Sequence, residues 1–260
     1  MELSNAVAIV TGASSGIGAA VARQLAAKGC HVVINFSRNA DGARQTAEAC
    51  ADAGGQTLVQ RADVAEDADC RTLVDAAVNR FGRLDILVNN AGITKFCAHQ
   101  DLAGLSKEDF LNLYTVNLVG AFQMTRAAES ALRQQPVAHI VNMASIAGIT
   151  GIGSSIAYAA SKGALVTMTL SLARVLGPQI RVNAICPGFV QGEWLKKGLG
   201  EEIYTAVYNQ YAEIAPLKDT ATADTVAQTL VALVGGADWT TGETVIVDGG
   251  AHLHTAPLRR

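Results

Sequence analysis

Seven short runs of aliphatic and β-branched residues, separated by longer alanine-rich stretches, constrain this chain more than any other feature. The runs are Val7–Thr11, His31–Phe36, Thr57–Arg61, Ile86–Asn89, His139–Met143, Arg181–Cys186 and Thr244–Val247. Between them lie segments such as Ala19–Ala27, Ala40–Ala53, Ala68–Phe81 and Leu118–Leu132, with Gly29, Gly54-Gly55, Gly82 and Gly177 at the joints. Most of the runs are apolar at successive positions instead of at alternate ones. Such strands are buried on both faces, as in a parallel sheet covered by helices. Strand and helix in alternation predict an α/β, doubly wound architecture with helices on both faces. At 260 residues, half of them hydrophobic and only 5% aromatic, the chain can fill one such sheet with an aliphatic core. We therefore expect a single domain over 1–260.

Several function classes recede on composition. A net charge of −3, with no basic run beyond Arg259-Arg260, argues against nucleic acid as a partner. The five cysteines form no Cys-x-x-Cys pair and read as reduced thiols of a cytoplasmic protein. The start, Met1–Asn5, has no cationic leader and runs straight into the first strand. Ser154–Ala173 is long enough to span a bilayer, yet it carries six hydroxyl residues and a central Lys162. It reads as a helix buried between protein surfaces, not a membrane segment. His252-x-His254 has no evident third ligand, so no metal is expected and the histidines read as part of a free tail.

One stretch departs from the alternation. Gln191–Pro216 holds Trp194, Tyr204, Tyr208 and Tyr211, and reads as a helical lid, about 191–215, over the carboxyl edge of the sheet. Its aromatics either line a substrate pocket or pack the lid itself. The loop Thr94–Ser106, with a surface His99, is the other place where substrate specificity would reside.

The first strand runs into Thr11-Gly-Ala-Ser-Ser-Gly-Ile-Gly18 and then a helix. Gly12, Gly16 and Gly18 let the backbone turn sharply and approach a pyrophosphate. Ser14, Ser15, Ile17 and the free N–H groups of the helix start can hold it. The second strand ends Asn35-Phe36-Ser37-Arg38, with no carboxylate for a ribose 2′-hydroxyl. Ser37 and the planar fork of Arg38 suit a 2′-phosphate, so NADP(H) is preferred and NAD(H) remains open. Asp63-Val64 ends the third strand, where the aspartate could reach an adenine or cap the next helix. Asn89-Asn90-Ala91-Gly92 ends the fourth, where small residues allow Asn90, Ala91 and Gly92 close approach to a ribose, and Asn89 either ties neighbouring strand ends together or contacts the ligand.

Tyr158 and Lys162 are four residues apart and share one helix face. A lone buried lysine there is expected to lower the tyrosine pKa and make it a proton donor to a carbonyl oxygen. Ser145, at the end of the fifth strand, can bond the same substrate oxygen. Asn117, in an apolar helix, must find partners and could anchor a water chain to Lys162. Cys186 reads as a small buried hydrophobe.

Taken together, these motifs make the chain resemble the short-chain dehydrogenase/reductase family. The resemblance runs from Val7 to Gly250 and includes Tyr158-Ala-Ala-Ser-Lys162, Pro187-Gly188 and Val247-Asp-Gly-Gly250. It implies a Rossmann-type fold with sheet order 3-2-1-4-5-6-7 and a homotetramer built partly through the Tyr158 helix. It also implies that Lys162 holds the nicotinamide ribose, and that Pro187, Gly188 and Val190 lie along the nicotinamide. Two departures stand out. Gln191-Gly192 stand where many members have a threonine, and Ser15 stands where many NADP-using members have a basic residue. Within the family the look is nearest to 3-oxoacyl carrier-protein and acetoacetyl coenzyme A reductases, on Asn90–Thr94 and Asn35–Arg38; sugar and polyol dehydrogenases share these features. A nucleotide-binding regulator without turnover would be expected to have lost Ser145, Tyr158 or Lys162, and all three are present.

Overall fold

A computed structural model of the chain describes residues 1–254, and the Arg259-Arg260 pair lies outside them. Strands β1 (Val7–Val10), β2 (His31–Phe36), β3 (Thr57–Arg61), β4 (Ile86–Asn89), β5 (Ala138–Met143), β6 (Ile180–Pro187) and β7 (Thr244–Val247) form one sheet. Their order is β3-β2-β1-β4-β5-β6-β7, and every neighbouring pair is parallel. The expected fold class is therefore observed, and each β-branched run becomes a strand within a residue or two of its sequence bounds.

Ten α-helices connect and cover the strands: α1 (Gly16–Ala26), α2 (Ala40–Asp52), α3 (Asp67–Phe81), α4 (Lys107–Tyr114), α5 (Ala121–Leu132), α6 (Ala147–Thr150), α7 (Ile156–Leu176), α8 (Glu193–Leu199), α9 (Glu201–Ile214) and α10 (Ala223–Gly236). Two apolar cores result, one on each face. Ala22 and Leu25 of α1 and Leu230 and Val234 of α10 pack on Ala8, Val10 and Ile86. Leu73 of α3, Met124 of α5 and Leu172 of α7 pack on Ile9, Leu87 and Ile140. β1 bonds to β2 on one side and to β4 on the other. At that reversal the connections leave to opposite faces, and a crevice opens at the carboxyl ends of the strands.

Three sequence expectations change here. Asn117 does not sit in a regular α-helix: Thr115–Gly120 is a π-helical turn linking α4 to α5. Local sequence reads as a continuous helix, but Asn117 is drawn to partners outside it. Second, α7 is covered on one face only. Leu165 and Leu172 are buried, whereas Leu170 is 39% and Val175 67% exposed. The uncovered side forms an apolar groove with α5 and the π-turn, lined by Leu118, Val119, Phe122, Ala164 and Met168. Third, His252 is not part of a free tail. Asp248, four residues upstream, accepts from both its backbone N–H (2.8 Å) and its ring Nδ1 (2.9 Å), within a short 3₁₀ turn.

All five thiols are free. Cys30, Cys50, Cys70 and Cys186 are buried, and burial pushes Cys30 up to about 12 and the other three up to about 11. Cys97 alone is half-exposed, on the loop after β4.

Candidate active site

The turn after β1 is held from three sides. Thr11, fully buried, accepts from the N–H groups of Asn90 (2.9 Å) and Ala91 (3.0 Å) and donates to Val88 O. Asn90 donates its amide to Thr11 O (2.9 Å) and Gly12 O (3.1 Å), so it ties strand ends. Asn35 of β2 accepts from Gly12 N–H (3.2 Å) and donates to Ala62 O (3.0 Å). Gly12 has φ +62°, and a Cβ there would lie 2.9 Å from Ala91 Cα. A side chain is thus excluded on two grounds. Neither Thr11 nor Asn35 was singled out from sequence. A lone asparagine inside an apolar strand was the available signal for the second.

Ser15 caps α1 with its backbone, yet its hydroxyl makes no capping bond and is exposed. The first intrahelical bond runs from Ala19 N–H to Ser15 O, so the N–H groups before it have no helical partner. Ser14 is half-buried beside it, Gly16 starts the helix, Ile17 packs on the core and Gly18 is buried. This cradle fits a pyrophosphate. Ser37 and Arg38 are exposed at the end of β2. Asp63 uses Oδ1 on Ala65 N–H (3.0 Å) and so tightens its own turn instead of capping α3, while Val64 is buried against Gly120.

At the other end of the crevice, Ser145 follows β5 and Tyr158 and Lys162 come from the first turns of α7. Lys162 is almost fully buried and donates to Met143 O at 2.7 Å, with Nζ 5.8 Å from the Tyr158 ring centre. Burial pulls its ammonium down from 10.5 to about 8. Tyr158 contradicts the expectation of a lowered pKa: burial raises it to about 12, outweighing the opposite pull of the Ser145 hydroxyl. The desolvation of a phenolate among packed groups is the larger effect, and the lysine that would offset it, lowered to about 8, has lost its charge before the phenol titrates. At neutral pH the phenol therefore keeps its proton.

Asn117 is held by three hydrogen bonds. Its Nδ2 donates to Ile93 O and to Ser161 Oγ, both at 3.0 Å, and its Oδ1 accepts from Ile93 N–H at 2.8 Å. Ser161 in turn donates to Tyr158 O at 2.8 Å. One clamp thus joins the β4 loop, the π-turn and α7. Gly92 lies at their meeting point: a Cβ there would come 3.2 Å from Asn117 Oδ1 and 3.5 Å from Lys162 Nζ. A ribose hydroxyl could reach both. Pro187 ends β6, Gly188 N–H donates to Val247 O, and Val190 pairs with Ala221. Gln191 donates to Thr220 Oγ1 (3.1 Å) where a threonine was the family expectation.

Over this crevice stand α8 and α9. Tyr204, Tyr208 and Tyr211 gather round Phe189, with centroids 5.3 to 6.3 Å apart, and so pack the helices themselves. Trp194 instead meets Phe96 of the opposite loop at 6.1 Å and stays 53% exposed. That loop is fastened to the segment before Tyr158: Thr94 bonds Ser154, and His99 bonds Gly153 O at 3.1 Å. Phe96 was not anticipated, because nothing in its neighbourhood marks it before the loop is folded.

Residues 12–252 match a family described as enoyl-(acyl carrier protein) reductase. A protein of Streptomyces violaceoruber, named for ketoacyl reduction in the granaticin polyketide synthase, is 43% identical over 95% of this chain and 96% of its own. A 3-oxoacyl-[acyl-carrier-protein] reductase of Synechocystis is 33% identical over 94% of this chain and 96% of its own. A solved structure from Burkholderia xenovorans, described as a short-chain dehydrogenase/reductase, superposes with a TM-score of 0.89 at 41% identity, covering 96% of this chain and 98% of that one. This chain belongs to the short-chain dehydrogenase/reductase family. It is accordingly an enzyme, an NAD(P)-dependent oxidoreductase that transfers a hydride between a nicotinamide and a carbonyl or alcohol.

Proposed function

We propose that this chain reduces the keto group of a 3-oxoacyl thioester or a related ketone, with NADP(H) preferred over NAD(H). The observation that carries the reading is the convergence of Ser145, Tyr158 and Lys162 at the carboxyl edge of β5, next to Gly92. A bound nicotinamide would supply the hydride that the carbonyl carbon takes up. Ser145 holds the carbonyl oxygen. Tyr158 gives that oxygen its phenolic proton, and the Lys162 ammonium stabilises the phenolate left behind until solvent reprotonates it. Lys162 would also hold the nicotinamide ribose, and Asn117 holds the loop on which Gly92 sits.

The phosphates are assigned to Gly12, Ser14, Ser15, Gly16, Ile17 and Gly18, the 2′-phosphate to Ser37 and Arg38, and the adenosine to Asp63, Val64 and the backbone of Asn90, Ala91 and Gly92. Pro187, Gly188 and Val190 would lie along the nicotinamide. Helices α8 and α9 act as the lid of a single domain, and the apolar Phe96–Trp194 pair favours a ketone over a polyol. The open apolar face of α5 and α7 supports a homotetramer, and the free thiols support a cytoplasmic setting. The relatives named for 3-oxoacyl and ketoacyl reduction support the substrate class.

NADPH absorbance with 3-oxoacyl thioesters, simple ketones, enoyl thioesters and sugars tests the substrate. Faster turnover of an enoyl thioester or a sugar than of every ketone would overturn it. Tyr158→Phe is expected to lose about 10²–10⁴-fold in turnover while cofactor still binds by fluorescence. Retained turnover in that variant would remove Tyr158 from the mechanism.

A further inference from the structure

Arg61 is the last residue of β3 and lies in register with Phe36 of β2, so its Cα stands beside the point where β2 gives way to Ser37 and Arg38. Its Nε donates to the Ser37 carbonyl at 3.2 Å. That bond fixes one edge of the guanidinium. Neither terminal nitrogen has a hydrogen-bond or ion-pair partner among the described residues, and the same holds for the whole Arg38 side chain. Both arginines are exposed. The acids nearest along the chain are engaged elsewhere: Asp41, after Arg38, is paired with Arg44, and Asp63, after Arg61, accepts from Ala65 N–H at 3.0 Å. Two guanidiniums therefore stand at the ends of adjacent strands, and neither is ion-paired among the described residues. Like charges so placed repel, and the arrangement is stable where an anion is brought to them.

We propose that Arg61 is a second specificity-determining residue for the 2′-phosphate of NADP(H), acting with Arg38. It rests on the reading that the chain prefers NADP(H). The Ser37 bond pre-sets the plane of Arg61 and leaves its terminal N–H groups for phosphate oxygens, and a planar fork held in place loses less freedom on binding. Ser37 is then doubly used, its carbonyl orienting Arg61 and its hydroxyl reaching the same phosphate. The residue was passed over in sequence because it ends a strand two positions before Asp63, with no glycine or motif to mark it.

Equilibrium binding of 2′,5′-ADP and 5′-AMP, followed by calorimetry, isolates this end of the cofactor and needs no turnover. Wild type is expected to bind 2′,5′-ADP more tightly than 5′-AMP. Arg61→Ala is expected to lose about 5- to 10-fold in 2′,5′-ADP affinity, as for one charge-assisted contact, with 5′-AMP affinity unchanged within about twofold. Added salt should weaken 2′,5′-ADP binding less in the variant than in wild type. If wild type discriminates and Arg61→Ala keeps the same ratio, or weakens both ligands equally, Arg61 does not read the phosphate and only this proposal fails. If wild type itself binds both alike, the NADP(H) preference fails and takes the proposal with it. An unchanged melting temperature of the variant separates lost contact from lost fold, because Arg61 is exposed.

Discussion

Replacing Lys162 by methionine should make the protein more stable and inactive at once. The folded chain lowers the ammonium from 10.5 to about 8, because nearly all of its surface is buried. Below the lower value that displacement is a destabilisation of about 3 kcal/mol relative to the unfolded chain. Methionine removes it and fills a similar volume. Against this stands the bond from Nζ to Met143 O at 2.7 Å; its loss leaves a buried carbonyl short of a donor, at about 1–2 kcal/mol. The net expectation is a gain of about 1–2 kcal/mol near neutral pH, together with loss of turnover. The sign with pH is also fixed. An unfolded lysine keeps its proton up to 10.5 while the folded one releases it near 8. Wild type therefore gains stability as pH rises through that window, and Lys162→Met does not. Urea unfolding at one protein concentration, near pH 7 and again near pH 10, reads both effects as shifts in midpoint at constant slope. A variant less stable than wild type at neutral pH, or an advantage that does not shrink with rising pH, would refute the account of Lys162 as a strained charge kept for function.

The remaining expectations are smaller. Ketone reduction should decline as pH rises through about 8, where Lys162 loses its charge, while the reverse oxidation should accelerate, because a phenol near 12 yields its proton only to rising base; initial rates in both directions across pH check the pair. Asn35→Ala should lower stability by about 1–3 kcal/mol, since it frees Gly12 N–H and Ala62 O from one side chain, and should weaken cofactor binding measured by fluorescence. Phe122→Asp, in the open groove between α5 and α7, should reduce the particle mass found by light scattering to that of a smaller assembly or a single chain. An unchanged mass would place the subunit contact elsewhere.

Much of the architecture was legible because burial on both faces leaves a direct mark: runs such as Val7–Val10 and Ile86–Asn89 have no amphipathic alternation and are inner strands of a parallel sheet. The residues that converge on the crevice were legible too, through residue type and spacing. What stayed hidden depends on contacts distant in sequence. The π-turn at Asn117 arises because its amide is claimed by Ile93 and Ser161, 24 and 44 residues away. The direction of the Tyr158 shift is hidden because sequence shows a cation one turn off but not the packing that desolvates both the phenol and the cation. The tether of His252 is hidden because the turn that brings Asp248, four residues upstream, onto its N–H and ring forms only in the folded chain.

The distribution of thiols has a practical consequence. Four sulfurs are enclosed and held in their protonated, unreactive form, and the fifth, Cys97, lies on the loop that carries Phe96 toward Trp194. A thiol-selective dye added to the unmodified enzyme would find one reachable sulfur. The chain thus brings its own reporter position to the mouth of the crevice, where the arrival of a substrate can be watched without altering a residue.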